Sequence, residues 1–197
     1  TVAVCININN MNVCSDCYAN MLTCGDCFLP PPADNPNLEI GCYAMNVIFV
    51  LDESGSIGGN ANDVEAGVLA FLNALNGQDA QVALIEFSYT GALVNNYTLV
   101  NQSYIDAIQA YFDCTSGGTG CYEPNGGTNW HDAMLEVDNL TSADLVLFFT
   151  DGEPTGWDIG GNQCSAWNTT ETPEIVNPVK LSNKIKNEGT HMFMLGV

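Results

Sequence analysis

VIFVLDESGSIGG, Val47 to Gly59, decides how this chain is read. Five apolar residues, Val47 to Leu51, run without a polar break into Asp52-Glu53-Ser54-Gly55-Ser56. An unbroken apolar strand fits a sheet covered on both faces, which usually means a parallel one. Similar runs recur at Val82–Ile85, Leu145–Phe149 and Met192–Leu195. Ala92–Leu99 follows its predecessor closely and reads as an antiparallel edge strand.

Between these runs the apolar spacing becomes helical. Val64, Val68, Phe71, Leu72 and Leu75 share one face, with Asn62 and Glu65 as a capping box. Ile105, Ile108 and Phe112 repeat the spacing more weakly, behind a start at Ser103 and Asp106. Trp130, Ala133, Met134 and Val137 repeat it again, and a last helix is expected from about Asn177–Pro178 to Gly189. Strands alternating with helices give an α/β class, doubly wound, with a mostly parallel sheet.

In such a sheet, ligands bind where loops at the carboxyl ends of the strands converge. Asp52, Ser54 and Ser56 follow one strand, and Asp151, in FFTDGEP, follows another. Thr128, in GGTNW, opens the helix between them. Two carboxylates and three hydroxyls, without sulfur or imidazole, suit a hard divalent cation. Glycines at Gly55, Gly58, Gly59, Gly126 and Gly127 permit close backbone approach. The plainer reading makes Asp52, Ser54 and Ser56 a polar turn and helix cap, where such residues are common. Glu53 and Glu153 flank the cluster as rim carboxylates. His131 reads as a surface or capping residue.

Asp52-x-Ser54-x-Ser56, Thr128 after Gly-Gly, and Asp151 in Thr-Asp-Gly resemble the metal-ion-dependent adhesion site of von Willebrand factor type A domains. The resemblance spans about residues 43–197. It implies that Ser54, Ser56 and Thr128 bind the ion directly, while Asp52 and Asp151 act mainly through water. It implies one divalent cation, Mg²⁺ first and Mn²⁺ or Ca²⁺ otherwise. The implied partner is a protein ligand or neighbouring subunit offering an acidic side chain, and the implied role is adhesion or assembly rather than catalysis. It also implies a further strand and helix after THMFMLGV, which this sequence lacks. A bare sheet edge invites pairing with another chain. TVAVCINI, at residues 1–8, alternates in period two and is a candidate donor strand.

The segment 1–42 differs from residues 43–197: it is Cys-rich and ends in a Pro-rich linker, LPPPADNPN. The nine cysteines point to an oxidising, extracellular or cell-surface setting. Cys14, Cys17, Cys24 and Cys27 suit disulfides, joined by Cys5 and Cys42, or alternatively a four-thiolate zinc site. Cys114 and Cys121 are expected partners, leaving Cys164 over. Asn96, Asn101, Asn139 and Asn168 lie in glycosylation sequons.

Charge excludes other classes. Three Lys, no Arg and 23 acidic residues give a net charge of −20, with Lys180, Lys184 and Lys186 in one segment. No cationic surface is available to replace phosphate counterions, so nucleic acid is not an expected partner. No apolar run approaches the length of a membrane span. Catalysis is not expected, since no His, Lys or Cys is placed as base or nucleophile. The remaining readings are an extracellular cation-dependent protein-binding domain, or a structural subunit of a surface filament or matrix built by strand addition and disulfides, with a homopolymer as one form of it.

Overall fold

The computed structural model describes residues 31–37, 44–113, 120–140, 142–157, 162–163 and 173–197. The donor segment 1–8, Cys5, Cys14, Cys17, Cys24, Cys27, Cys42, Cys114, Cys164 and Asn168 lie outside them. Cys121 is disulfide-bonded. Asn96, Asn101 and Asn139 are all exposed.

The principal sheet is built from β1 (Met45–Asp52), β2 (Ala80–Phe87), β3 (Gly91–Leu99), β4 (Leu145–Thr150) and β7 (His191–Gly196). Its spatial order is β3-β2-β1-β4-β7. All pairings are parallel except β2 with β3, so the expected antiparallel edge is present. A separate short hairpin joins β5 (Gly156–Trp157) and β6 (Asn162–Gln163). β1 is the hub. Its neighbours lie on both sides and its residues from Val47 to Asp52 have no exposed surface.

Alternation along β1 divides the core between two faces. Val47, Phe49 and Leu51 pack with Val64, Val68 and Leu72 of α1 (Ala61–Leu75) and with Ile105 and Ile108 of α2 (Gln102–Asp113). Ile48 and Val50 pack with Ala133, Met134 and Val137 of α3 (Trp130–Asn139) and with Ile185 of α4 (Pro173–Asn187). Helices therefore cover both faces, which is why β1 carries no polar residue from Val47 to Leu51.

Three local expectations are corrected. The capping box at Asn62 and Glu65 does not form: α1 begins at Ala61, and the Glu65 carboxylate instead accepts the Gln109 amide of α2 at 2.6 Å. α2 is capped by Asn101, whose side chain accepts the Tyr104 N–H at 3.0 Å, rather than by Ser103. α4 starts at Pro173, ahead of Asn177–Pro178, so Pro178 lies inside the helix and gives no amide to the carbonyl one turn back.

Residues 31–37 run along α4 and the start of β7. Asn183 accepts from the Ala33 N–H at 2.6 Å and donates to the Pro31 carbonyl at 2.9 Å. The Asn35 amide bonds both the N–H and the carbonyl of Met192, at 2.9 and 3.0 Å, as a neighbouring strand would.

Candidate metal centre

β1 connects through α1 to β2 on one side, while β4 lies on its other side. Loops leaving β1 and β4 therefore diverge and leave a crevice at their carboxyl ends. Asp52 ends β1 and Asp151 follows β4, so both carboxylates fall at this switch point.

Asp52 is fully buried and both its oxygens are engaged. Oδ1 accepts the Ser54 N–H at 2.8 Å, and Oδ2 accepts the Thr150 hydroxyl at 2.6 Å. The Ser54 and Ser56 hydroxyls lie 3.0 Å apart, and Ser56 Oγ donates to Asp151 Oδ1 at 2.9 Å. The structure thus brings Asp52, Ser54, Ser56 and Asp151 into one connected cluster. Ser54 is buried while Ser56 is exposed, so the cluster runs from the core to the surface.

Thr128 is buried, on a loop tied to both others. Gly55 N–H donates to the Gly126 carbonyl at 3.1 Å, and Asn125 N–H donates to the Glu53 carbonyl at 2.7 Å. The Thr128 carbonyl accepts from Thr155 and Gly156 N–H groups at 2.7 and 3.1 Å, and its own N–H donates to Thr155 Oγ1 at 2.9 Å. Three separate loops are held together by backbone bonds, which cost less entropy to keep than long side chains.

Burial is the main force raising the Asp52 carboxyl above its ordinary range, and nearby Asp151 adds to it. Hydrogen bonds from Ser54 and Thr150 oppose the rise. Glu53 is pushed up to about 7, chiefly by burial and then by the charges of Glu86 and Glu123, against a hydrogen bond from the Glu123 N–H. A buried carboxylate beside a second one is an arrangement that a cation stabilises. The donor set also fits a hard ion: hydroxyl and carboxylate oxygens, few net charges, and a face open at Ser56. Ser54, Ser56, Thr128 and Asp151 are the residues that would hold it, with Asp52 behind them. Among the described residues no three His, Cys, Asp or Glu side chains form a metal-binding group.

Several supporting residues escaped the sequence reading. Thr150 and Thr155 orient Asp52 and Thr128. Asn129, fully buried, donates its amide to the Tyr89 carbonyl at 2.8 Å and accepts the Asp132 N–H at 3.1 Å. The Tyr122 hydroxyl donates to the Asp52 carbonyl. Thr150 adjoins Asp151, and Asn129 adjoins Thr128 and caps α3 through Asp132, so these two had a local signal. Thr155 and Tyr122 act across long separations and carried none. His131 opens α3 beside this loop, half-buried.

Residues 46–197 match the family model of the von Willebrand factor type A domain. Heavy chain 4 of the inter-alpha-trypsin inhibitor from Mus musculus is 30% identical over 125 residues, covering 57% of this chain and 12% of that protein. Among solved structures, the open conformation of the pilus adhesin SpaC from Lactobacillus rhamnosus GG superposes with a TM-score of 0.54 at 22% identity. That match covers 82% of this chain and 24% of that one. Manganese-loaded TRAP protein from Plasmodium vivax gives 0.53 at 17% identity, covering 78% of this chain and 57% of that one. The chain thus spans only a small part of its mouse relative's length. It belongs to the von Willebrand factor type A domain family.

Proposed function

We propose that this domain binds a protein ligand through one divalent cation held by Ser54, Ser56, Thr128 and Asp151, with Asp52 as the carboxylate behind them. The observation that carries the reading is the connected chain from Thr150 through Asp52, Ser54 and Ser56 to Asp151 at the sheet's switch point. Mg²⁺ is the first choice of ion and Mn²⁺ or Ca²⁺ the next, because all three prefer oxygen ligands. Hydroxyl ligands leave the ion largely uncompensated, so an acidic side chain from a partner would complete it. The site is a binding centre rather than a catalytic one: it offers hydroxyls, carboxylates and backbone amides but no placed nucleophile or base. The cysteine content supports an extracellular setting, and the presence of a pilus adhesin among proteins of similar fold supports an adhesive role.

Calorimetry with Mg²⁺ and Mn²⁺ tests the reading. The native protein is expected to bind one ion, and Asp52→Ala and Ser56→Ala are expected to lose it. Ser56 is exposed, so its variant keeps the fold. Unchanged binding in Ser56→Ala would remove the central claim.

A second reading has its own observation. Phe193, Met194 and Leu195 of β7 are exposed by 47%, 52% and 38%, an apolar sheet edge of the kind that accepts another strand. On that reading the domain is a building block of a surface filament or matrix. A multimer that reductant dissociates, and that forms equally well in EDTA, would favour it.

A further inference from the structure

We propose that Tyr89 is a positioning residue of the cation site, acting on Thr128 through the Gly126–Gly127 turn. The proposal rests on the reading of Thr128 as a ligand.

Tyr89 lies between β2 and β3, outside the three loops that carry the expected ligands. It is 44% exposed, yet its ring is not loose on the surface. A Cβ built on Gly126 would lie 2.9 Å from both Cδ2 and Cε2 of the ring. One built on Gly127 would lie 2.7 Å from Cε1 and 3.0 Å from Cδ1. Opposite edges of one ring each face one glycine, so the ring spans the whole turn. On the other flank, Thr155 Oγ1 would stand 3.1 Å from the same Gly127 Cβ. The turn is held between an aromatic ring and a threonine, and only glycines leave room for both.

The ring's own backbone is anchored. Asn129 N–H donates to the Ser88 carbonyl at 2.9 Å, and the Asn129 side chain donates to the Tyr89 carbonyl at 2.8 Å. Gly91 N–H donates to Asp132 Oδ2 at 2.7 Å, docking the same hairpin on the first turn of α3. The hairpin therefore grips Thr128 on both sides, by the ring before it and by Asn129 after it. Thr128's own amide and carbonyl are fixed by Thr155 and Gly156. The remaining freedom is in the approach, where Gly126 sits at φ +88°. Glycines have the widest backbone freedom of any residue, and removing the ring would leave that freedom to be lost again when an ion binds.

The probe is Mn²⁺ alone, by calorimetry, with no protein ligand, so a Tyr89 that merely touches a partner would give no signal. Tyr89→Ala is expected to bind Mn²⁺ roughly ten-fold more weakly than wild type. Tyr89→Phe is expected to restore binding, since the ring and not the hydroxyl spans the glycines. Melting temperatures in EDTA should agree between Tyr89→Ala and wild type, which separates positioning from a general loss of structure. Gly127→Ala, which pushes the ring away from the other side, should reproduce the loss. In a Thr128→Val background, Tyr89→Ala should cost nothing further. Binding by Tyr89→Ala within about two-fold of wild type, or a full loss persisting in Thr128→Val, would overturn the proposal. Mn²⁺ binding that survives Ser54→Ala unchanged would instead overturn the site reading beneath it, and the proposal with it.

Discussion

β1 and β7 carry the same kind of sequence and meet opposite fates. VIFVL and MFML are both unbroken apolar runs, and both form parallel strands of one sheet. Val47 to Leu51 are completely buried, with β2 on one side, β4 on the other and helices on both faces. Phe193, Met194 and Leu195 are substantially exposed, at the sheet's edge. Apolar continuity therefore shows that a strand is built to be covered, but not what covers it. The difference also separates the two proposed roles. The buried strand ends in Asp52 and delivers the cluster of carboxylates and hydroxyls, whereas the exposed one ends in Gly196 and presents an edge.

The comparison predicts a steep gradient of mutational cost across the sheet. Phe49, packed edge-on to Phe71 at 5.5 Å and against Phe149 at 6.1 Å, is its centre. Phe49→Ala is expected to destabilise the domain by about 3–5 kcal/mol, measured by denaturant unfolding. A cost below about 1 kcal/mol would mean that β1 is not the hub. The next largest effect belongs to the polar end of the same core. Thr150→Val keeps the shape but removes the donor to Asp52 Oδ2, leaving a buried carboxylate oxygen without a partner. A loss of about 2–3 kcal/mol is expected in EDTA. Divalent ion should recover part of it, because the ion binds only the folded state.

How much of this was legible beforehand depends on the range over which each residue acts. The strand runs, the antiparallel position of Gly91–Leu99 and the amphipathic faces of α1 and α3 follow from local periodicity, and the structure contains them. Asp52, Ser54, Ser56 and Asp151 were legible because parallel strands present their carboxyl ends on one side of the sheet, and the structure bonds them into one cluster. Thr155 and Tyr89 were not. Each acts on a partner remote in sequence, and nothing in a turn such as SYTG announces which loop its ring will cover. The failed capping box makes the same point: Glu65 had a local partner available, but Gln109 on a neighbouring helix took it. The exposure of β7 was beyond local pattern, since only the order of strands decides which of them is last; the bare edge expected at THMFMLGV came from the family resemblance alone.

A gentler test lies beside the hub, at Glu86 on β2. Burial raises its carboxyl, while a hydrogen bond from the Tyr111 hydroxyl lowers it again, and burial dominates. The folded protein therefore holds this proton more tightly than the unfolded chain does. Ionised Glu86 costs stability in full above its folded pKa, and the cost fades as pH falls from there to the ordinary value of 4.5, below which both states are protonated. Glu86→Gln keeps an acceptor for Tyr111 and removes the charge. It is expected to melt about 2 °C above wild type near neutral pH, with the two curves converging at about pH 4. A difference independent of pH would show that charge is not the cause.

The smallest effect is expected at the edge, and its size is informative in itself. Phe193 is 47% exposed, so truncating it removes little area that is hidden from water. Phe193→Ala should cost about 1 kcal/mol or less at low protein concentration. The outward N–H and carbonyl of Met192 already bond Asn35, so that end of β7 is paired whatever happens further along. If the measured cost instead approached that of Phe49→Ala, Phe193 would have to be covered by something in solution. A cost that grew with protein concentration would identify the cover as a second copy, because only association depends on concentration. A cost independent of concentration would place it within the same chain. The edge would then no longer contrast with the hub, and the exposed run would be read as a core position whose partner strand lies elsewhere.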